Sequence, residues 1–186
     1  MYKRQTDAQV YKSRASEFAD TKASVLGDYV ASKLEMEEGE VPLFMTVTVD
    51  YRGYMLFFYQ NGKCAKIPLA SYMTKQNRRK LLKAYSDKEE LAAMLHIEEE
   101  TELAVFTSGG TGGPRLILVG SALIPEKATR DTAGINMVTL KKNARIAKVR
   151  PAAGLELKDP HRYRVRTLPA AGALLRQEDT TEQMSL

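Results

Sequence analysis

Short apolar runs joined by turns are the clearest pattern along the chain. Residues 54–59 form an aromatic-rich run, Asn61 and Gly62 make a dipeptide typical of a tight hairpin turn, and residues 63–67 return as a second run. The same plan recurs over 103–119, where two apolar runs flank the glycine-rich tip SGGTGGP. The pattern therefore predicts two β-hairpins and an all-β fold.

The segments that follow the two hairpins also correspond to each other. Each contains a serine at a bend, an apolar anchor, a loop with a lysine and then an arginine, and a closing apolar run. The matching residues are Ser71 and Ser121, Tyr72 and Leu123, Lys75 and Lys127, and Arg78 and Arg130. A third, partial copy can be read before the first hairpin, with residues 43–47 as its closing run. The chain is therefore interpreted as a set of repeats.

A period of about 50 residues with about four short strands per copy is typical of blades, small sheets that pack against their neighbours. We expect a partial blade at 10–53, blades at 54–101 and 102–150, and an incomplete ring. Residues 1–9 are a linker or a non-native start, and 151–186 form a tail that is disordered towards its end. An alternative stays open, in which six to eight strands form one barrel or sandwich.

Charge is distributed unevenly along the sequence. Lysine and arginine total 28 against 23 acidic residues, for a formal net charge of +5. Residues 86–102 contain seven acids and one lysine, whereas 141–150 contain five cations and no acid. This separation favours a one-sided basic surface and an anionic partner.

Other functional classes find little support in the sequence. Cys64 is the only cysteine and the two histidines, His96 and His161, lie far apart, so neither a disulfide nor a zinc site is expected. We identify no catalytic nucleophile with its base, no metal ligands, no signal peptide and no membrane span. The tip SGGTGGP joins two strands and lacks the lysine of a P-loop. A reducing, cytoplasmic compartment is the expected location.

The order of these motifs resembles one known family. The resemblance is carried by the strand and NGK turn, the return strand ending KIPL, the cationic stretch TKQNRRK, the FTS turn and ATRDTAGINMVTL. In this order they are similar to the C-terminal domain of the A subunit of bacterial type IIA DNA topoisomerases, gyrase and topoisomerase IV. Arg130 to Gly134 match the Arg-x-x-x-Gly segment of that family. The resemblance covers about residues 10–150.

The resemblance implies a β-pinwheel, a strand-swapped relative of the propeller, whose basic rim binds and bends double-stranded DNA. It implies a role in ATP-dependent strand passage by a holoenzyme, with ATP and Mg²⁺ bound elsewhere and the B subunit contacted through other parts of the A subunit. The catalytic tyrosine belongs to another domain, so this fragment alone is expected to be inactive. TKQNRRK has no glycines, unlike the glycine- and arginine-rich box of gyrases, which favours a topoisomerase IV-like subunit.

Cations displayed at the repeat period would meet successive phosphates of a curved duplex. The candidate DNA-binding residues are Lys63, Lys66, Lys75, Arg78, Arg79, Lys80, Lys127, Arg130, Lys141, Lys142 and Arg145. Lys63 and Lys66 are the weakest, because residues three apart on a strand point to opposite faces. Two other functions stay open: a free-standing basic module that binds RNA or DNA, and a scaffold for protein interactions. The tail is either a last strand that covers a blade edge or an arm that touches DNA.

Overall fold

The chain folds into two four-stranded antiparallel sheets and a small two-stranded ribbon. The structure is a computed structural model that describes residues 8–74 and 79–179. The strands are β1 Val10–Tyr11, β2 Tyr54–Tyr59, β3 Lys63–Pro68, β4 Lys80–Leu81, β5 Leu91–Ile97, β6 Glu102–Thr107, β7 Arg115–Gly120, β8 Ile135–Asn136, β9 Ile146–Pro151 and β10 Ala173–Leu174. The single α-helix that the structure describes, α1 (Val30–Lys33), has one turn.

Both predicted hairpins are present, and each lies in a sheet of its own. The first sheet has the order β5-β2-β3-β8, and the second has the order β9-β6-β7-β10. Leu56 pairs with Lys66 and with Leu95 in the first sheet, and Ala104 pairs with Leu118 and Arg150 at the matching place in the second. The single barrel or sandwich left open by the sequence is therefore wrong, and the repeated blades are confirmed.

Each sheet takes its fourth strand from the part of the chain that follows it. Strand β8, which comes after the second hairpin, pairs with β3, and β10 of the tail pairs with β7. Strands β1 and β4 make the same kind of pair. This exchange is what the strand-swapped β-pinwheel predicts. It also shows that the tail supplies a last strand to a blade edge, one of the two roles considered for it.

A glycine at the same position precedes each of the exchanged strands β8 and β10. Gly134 (φ +73°) precedes β8, and Gly172 (φ +69°) precedes β10. A Cβ on Gly134 would overlap the backbone of Cys64, and a Cβ on Gly172 would lie 2.6 Å from a side-chain carbon of Ile117. A left-handed backbone with so little space requires glycine at both places. The AG dipeptide at 171–172 thus repeats the AG at 133–134.

The strands read as continuous apolar runs because both faces of each sheet are buried. On β2, Leu56 and Phe58 face a core shared with Leu103 and Val105 of the second sheet. Phe57 and its neighbours on the opposite face pack against the chain around β1 and β4. The outer face of the second sheet is covered by Tyr163 and the tail. One apolar layer therefore lies between the two sheets, and one covers the outer face of each sheet.

The segment before the first hairpin contains little regular structure. Between β1 and β2 it forms a 3₁₀ turn at Ala15–Glu17 and helix α1, and the predicted closing run at 43–47 belongs to none of the described strands. Cys64 is completely buried, and burial raises the pKa of its thiol. Within the described ranges, no helix has the length and apolar character needed to cross a bilayer.

Candidate nucleic-acid interface

A loop with three exposed cations joins β8 to β9. Lys141, Lys142 and Arg145 are exposed, and each has no ion-pair partner among the residues described. The backbone N–H of Ala144 donates to the carbonyl of Lys141 (2.9 Å), and Asn143 has φ +61°, so the loop turns tightly between the cations. We call residues 141–145 the basic loop.

The glycine-rich hairpin tip holds the basic loop from one side. The N–H of Ser108 donates to the carbonyl of Arg145 (2.7 Å), and the N–H of Thr111 donates to the carbonyl of Lys142 (3.0 Å). The hydroxyl of Ser108 accepts a hydrogen bond from the N–H of Arg145 (2.8 Å). These bonds fix the loop backbone on both sides of its turn.

Gly110 allows this approach. A Cβ at this position, which has φ +49°, would lie 2.8 Å from the Cβ of Ala144. Gly110 of the glycine-rich tip therefore packs directly against the basic loop. The tip serves as a hairpin turn, as the sequence predicted, and leaves no cradle for a nucleotide phosphate.

The tip of the first hairpin holds the other side of the same segment. The carbonyl of Gly62 accepts hydrogen bonds from the N–H groups of Met137 and Val138, both at 2.9 Å. The carbonyl of Gln60 accepts from the N–H of Ile146 (3.1 Å). The basic loop is thus bound to the second hairpin tip, and the residues that flank it are bound to the first.

Charge is separated along the strand direction. The hairpin tips 60–62 and 108–114 form one end of the sheets, which we call the tip end, and the basic loop lies there. The opposite end, which we call the acidic end, contains the β5–β6 turn and the start of β6. Its acids are Glu98, Glu99, Glu100 and Glu102. The acids of 98–102 therefore lie at the end of the sheets opposite the basic loop, whereas those of 86–90 lie at the tip end.

The first sheet has an acidic loop where the second has the basic loop. The carbonyl of Glu90 accepts a hydrogen bond from the N–H of Gln60, just as the carbonyl of Arg145 accepts from Ser108. The equivalent segment 86–90 contains Asp87 and Glu89 as well as Glu90. This segment therefore has three acids and one lysine, Lys88, where the basic loop has three cations and no acid.

Four of the predicted DNA-binding residues lie within 75–80. Lys75 and Arg78 lie outside the described residues. Arg79 faces Glu17 (3.5 Å) and Glu35 (3.9 Å), and Lys80 pairs with Glu37 (2.5 Å) and Glu40 (4.0 Å). The hydrogen bond to Glu37 raises the pKa of Lys80, so this lysine stays charged but is already neutralised by acids of the N-terminal segment.

Lys66 is placed where an external phosphate cannot reach it. Its side chain is 2% exposed, and its ammonium group pairs with Glu100, donates to the carbonyl of Ser121 (3.4 Å) and lies 4.2 Å from the ring centroid of Tyr54. The sequence grouped it with the rim cations. Lys66 instead connects the first sheet to residues that flank the second, so we leave it out of the proposed interface.

Arg130 also makes internal contacts. Its guanidinium donates to the carbonyl of Ser71 (3.0 Å) and lies 5.7 Å from the ring centroid of Tyr72. Lys63 is near Glu89 (3.9 Å), and Lys127 is partly exposed. Of the predicted cations that the structure describes, it brings together Lys141, Lys142 and Arg145, whereas the other described ones lie elsewhere on the molecule.

The sequence did not point to Ser108, Thr111 or Gly110 as supports of the cations. Their partners lie some thirty residues further along the chain, and no local sequence pattern predicts that contact. A serine and a threonine among glycines in a hairpin tip are the only sequence signal, since short polar side chains often bond to nearby backbone groups.

The fold of the chain is similar to three solved structures. The crystal structure of the C-terminal domain of DNA topoisomerase IV matches with a TM-score of 0.63 at 16% identity, covering 86% of this chain and 53% of that one. The DNA gyrase A C-terminal domain matches with a TM-score of 0.58 at 14% identity, covering 90% and 57%. The chain has the β-pinwheel fold of these domains.

The E. coli ParC C-terminal domain matches with a TM-score of 0.56 at 11% identity, covering 83% of this chain and 68% of that one. The chain thus spans little more than half the length of the first two structures. No protein-family model matches the sequence. No curated protein matches it either.

Proposed function

We propose that this chain binds duplex DNA through the basic loop, as a DNA-binding part of a type IIA topoisomerase A subunit. The observation that carries the proposal is the set of three exposed, unpaired cations on a turn that is hydrogen-bonded to the second hairpin tip and flanked by residues bonded to the first. Phosphate contacts from such cations need no base readout, so binding should depend little on DNA sequence.

The charge separation supports one orientation of the duplex. A polyanion is attracted to the tip end through the basic loop and is repelled from the acidic end by its glutamates. The rigid loop matters as well, because cations fixed on an ordered backbone lose less conformational entropy on binding than cations on a mobile arm. The duplex would therefore lie across the junction of the two sheets.

The role in the whole enzyme rests on the shared fold with the topoisomerase domains. We propose that DNA held at the basic loop supports ATP-dependent strand passage, with the B subunit engaged through parts of the A subunit outside this chain. ATP and Mg²⁺ would be bound by other parts of that enzyme, whose location would be cytoplasmic.

A salt titration tests the DNA contact. Replacing Lys141, Lys142 and Arg145 by glutamine should weaken binding to unrelated duplexes by similar factors. It should also flatten the plot of log affinity against log salt by up to about three units, if each cation neutralises one phosphate. The measurement is fluorescence anisotropy with two labelled duplexes of different sequence.

A matched control removes the same charge elsewhere. Arg14, Lys22 and Lys83 are exposed cations away from the basic loop. Their replacement by glutamine should leave the slope nearly unchanged. An equal loss in the control would show that only net charge matters, and an unchanged slope in the basic-loop variant would overturn the proposed site.

A further inference from the structure

Two cations at the start of β4, Arg79 and Lys80, are covered by acids from a distant part of the chain. Two carboxylates lie within 4.0 Å of each cation: those of Glu17 and Glu35 near Arg79, and those of Glu37 and Glu40 near Lys80. More negative than positive charges therefore meet at this place. As long as these acids stay there, the site repels a polyanion.

The acids belong to the segment that joins β1 to the first hairpin. Residues 13–40 contain seven acids and three cations. A turn at 37–40 is closed by two hydrogen bonds: the N–H of Glu40 donates to the carbonyl of Glu37 (3.1 Å), and the N–H of Glu37 donates to the carboxylate of Glu40 (2.7 Å). We call residues 35–40 the acidic turn. It is an ordered element that places carboxylates against β4.

The acids hold the two cations only weakly. The side chain of Glu35 is 81% exposed and that of Glu37 is 66% exposed, and the Arg79 side chain itself is 50% exposed. Ion pairs with this much contact with water contribute little to stability. Glu40 is the most buried of the four acids at 19%, and the hydroxyl of Tyr11 also donates to it. The other acids can therefore leave the cations without unfolding the sheets.

The cations lie within reach of a duplex at the basic loop. Strand β4 pairs with β1 alone among the described strands, and Leu81 joins the apolar cluster that covers the face of the first sheet opposite the second sheet. Layers of this kind pack about 10 Å apart, so β4 is two spacings, roughly 20 Å, from the sheet that carries the basic loop. A duplex of about a dozen base pairs, at about 3.4 Å per pair, is long enough to contact both.

We propose that Arg79 and Lys80 form a second contact for duplex DNA, which Glu17 and the acidic turn cover until phosphates displace them. The inference rests on the proposed function, since the basic loop would bring the duplex to the chain. A duplex presents closely spaced phosphates and releases counterions when they meet lysine or arginine. Because the acids are attached to the same chain, the duplex has to compete with them. Displacement changes the charge of the site from negative to positive, so the acidic turn sets a threshold for DNA binding.

Removing the covering charges should uncover the site. The acidic-turn variant combines Glu17→Gln, Glu35→Gln and Glu37→Gln, and it keeps Glu40, which Tyr11 holds in place. It should bind a fluorescent duplex about fivefold more tightly, and its plot of log affinity against log salt should be steeper by up to about two units, because two cations each gain a phosphate. Fluorescence anisotropy measures both quantities.

Replacing the cations decides whether the acids act through them. Arg79→Gln with Lys80→Gln should change the affinity of the otherwise unaltered chain by less than about twofold, because covered cations neutralise no phosphate. Added to the acidic-turn variant, the same two changes should reduce its gain to that of a control that removes three exposed acids elsewhere: Asp20→Asn, Glu98→Gln and Glu99→Gln. A gain that persists without the two cations would overturn the proposal, because the acids would then act through net charge. Circular dichroism would show that all variants keep the fold.

Amide hydrogen exchange separates the second contact from the first. A duplex should slow exchange at Ala144 in the basic loop and speed it at Glu37 and Glu40, whose N–H groups are bonded within the acidic turn. Slower exchange at Ala144 with no change in the acidic turn would overturn the second contact and leave the proposed function intact. Faster exchange in the turn with no change at Ala144 would support the second contact and overturn the first. A chain that binds no duplex in any variant would overturn both.

Discussion

Gly134 lies directly against the carbonyl group of Cys64, so a Cβ at position 134 would overlap the neighbouring backbone. Because the obstacle is backbone, it cannot move aside as a flexible side chain could. We expect Gly134→Ala to lower the free energy of unfolding by about 3 kcal/mol, since it combines a clash with a left-handed backbone. Urea denaturation followed by circular dichroism would measure the loss.

Gly154 provides the matched control for this change. Its φ of +79° is close to that of Gly134, but no atom lies within 4 Å of the Cβ that alanine would add. Gly154→Ala should therefore cost only the backbone term, about 1 kcal/mol. Similar losses in the two variants would mean that strand β8 can shift away from β3, contrary to a tightly fixed exchange.

Removing either partner of the Lys66–Glu100 ion pair should lower the stability of the chain by a different amount. Lys66 is buried, whereas the side chain of Glu100 is 41% exposed. Glu100→Ala leaves a buried ammonium group without its carboxylate and should cost about 3 kcal/mol. Lys66→Met leaves a carboxylate that water can solvate and should cost about 1 kcal/mol or less. Thermal unfolding of both variants gives the comparison.

The double variant separates the pair from the packing. Glu100→Ala combined with Lys66→Met should recover part of the stability lost in Glu100→Ala alone, because no buried charge is left unpaired. If the two single losses simply add, the ion pair does not couple the sheets, and Lys66 must be solvated in solution.

The buried carboxylate of Asp179 in the tail should stabilise the fold at neutral pH but not in acid. The carboxylate of Asp179 is buried and accepts hydrogen bonds from the Tyr163 hydroxyl (2.6 Å) and from the backbone N–H of Lys158 (3.1 Å). Burial acts to raise the pKa of Asp179, but these hydrogen bonds outweigh it and the pKa is lowered. The contribution is therefore complete above the unfolded pKa of about 3.9 and is lost as the pH falls through the folded value.

Asp179→Asn tests this contribution. Near neutral pH it should lower the unfolding free energy by about 1–2 kcal/mol, because a charge-assisted acceptor is replaced by a neutral one. Its unfolding temperature should then fall less steeply than that of the unaltered chain between about pH 4 and about pH 2. Parallel pH curves for the two proteins would show that the Tyr163–Asp179 contact does not persist in solution.

The sequence predicted the hairpins and the repeat because they depend on local signals, such as the Asn61-Gly62 turn and the continuous apolar runs. It did not predict which sheet the short strands join. Ile135 pairs with Cys64 across the chain, and a two-residue strand is too short to have a pattern of its own. For the same reason Lys66, an ordinary lysine in the sequence, could not be recognised as buried, since Glu100 and Ser121 surround it only after folding.

The sequence predicted cations in every repeat, but the equivalent loops of the two sheets differ in charge. The segment 86–90 has the same backbone contact as the basic loop but the opposite charge, since Glu90 and Arg145 occupy equivalent places. Composition alone could not align these two loops, because they share no residue pattern. The hydrogen bonds from the hairpin tips reveal that they are equivalent.

This pair of loops yields a prediction about the path of the duplex. If DNA lies across the tip end of both sheets, the acidic loop repels it at the first sheet. Asp87→Lys combined with Glu90→Arg would copy the cations at the equivalent positions of Lys142 and Arg145. The variant should bind duplex DNA more tightly, and its plot of log affinity against log salt should be steeper by up to about two units. The backbone contact from Gln60 to residue 90 does not depend on the side chain, so the loop should keep its conformation.

The same change of charge at the other end of the sheets is the control. Glu98→Lys combined with Glu99→Arg alters the net charge equally, but these residues lie at the acidic end. If the duplex follows the tip end, this control should gain little affinity and keep the original slope, because contacts beyond a Debye length of about 10 Å are screened. If both variants gain equally, DNA is attracted by net charge alone. If only the variant at the acidic end gains, the duplex lies on the opposite side of the molecule from the one proposed here.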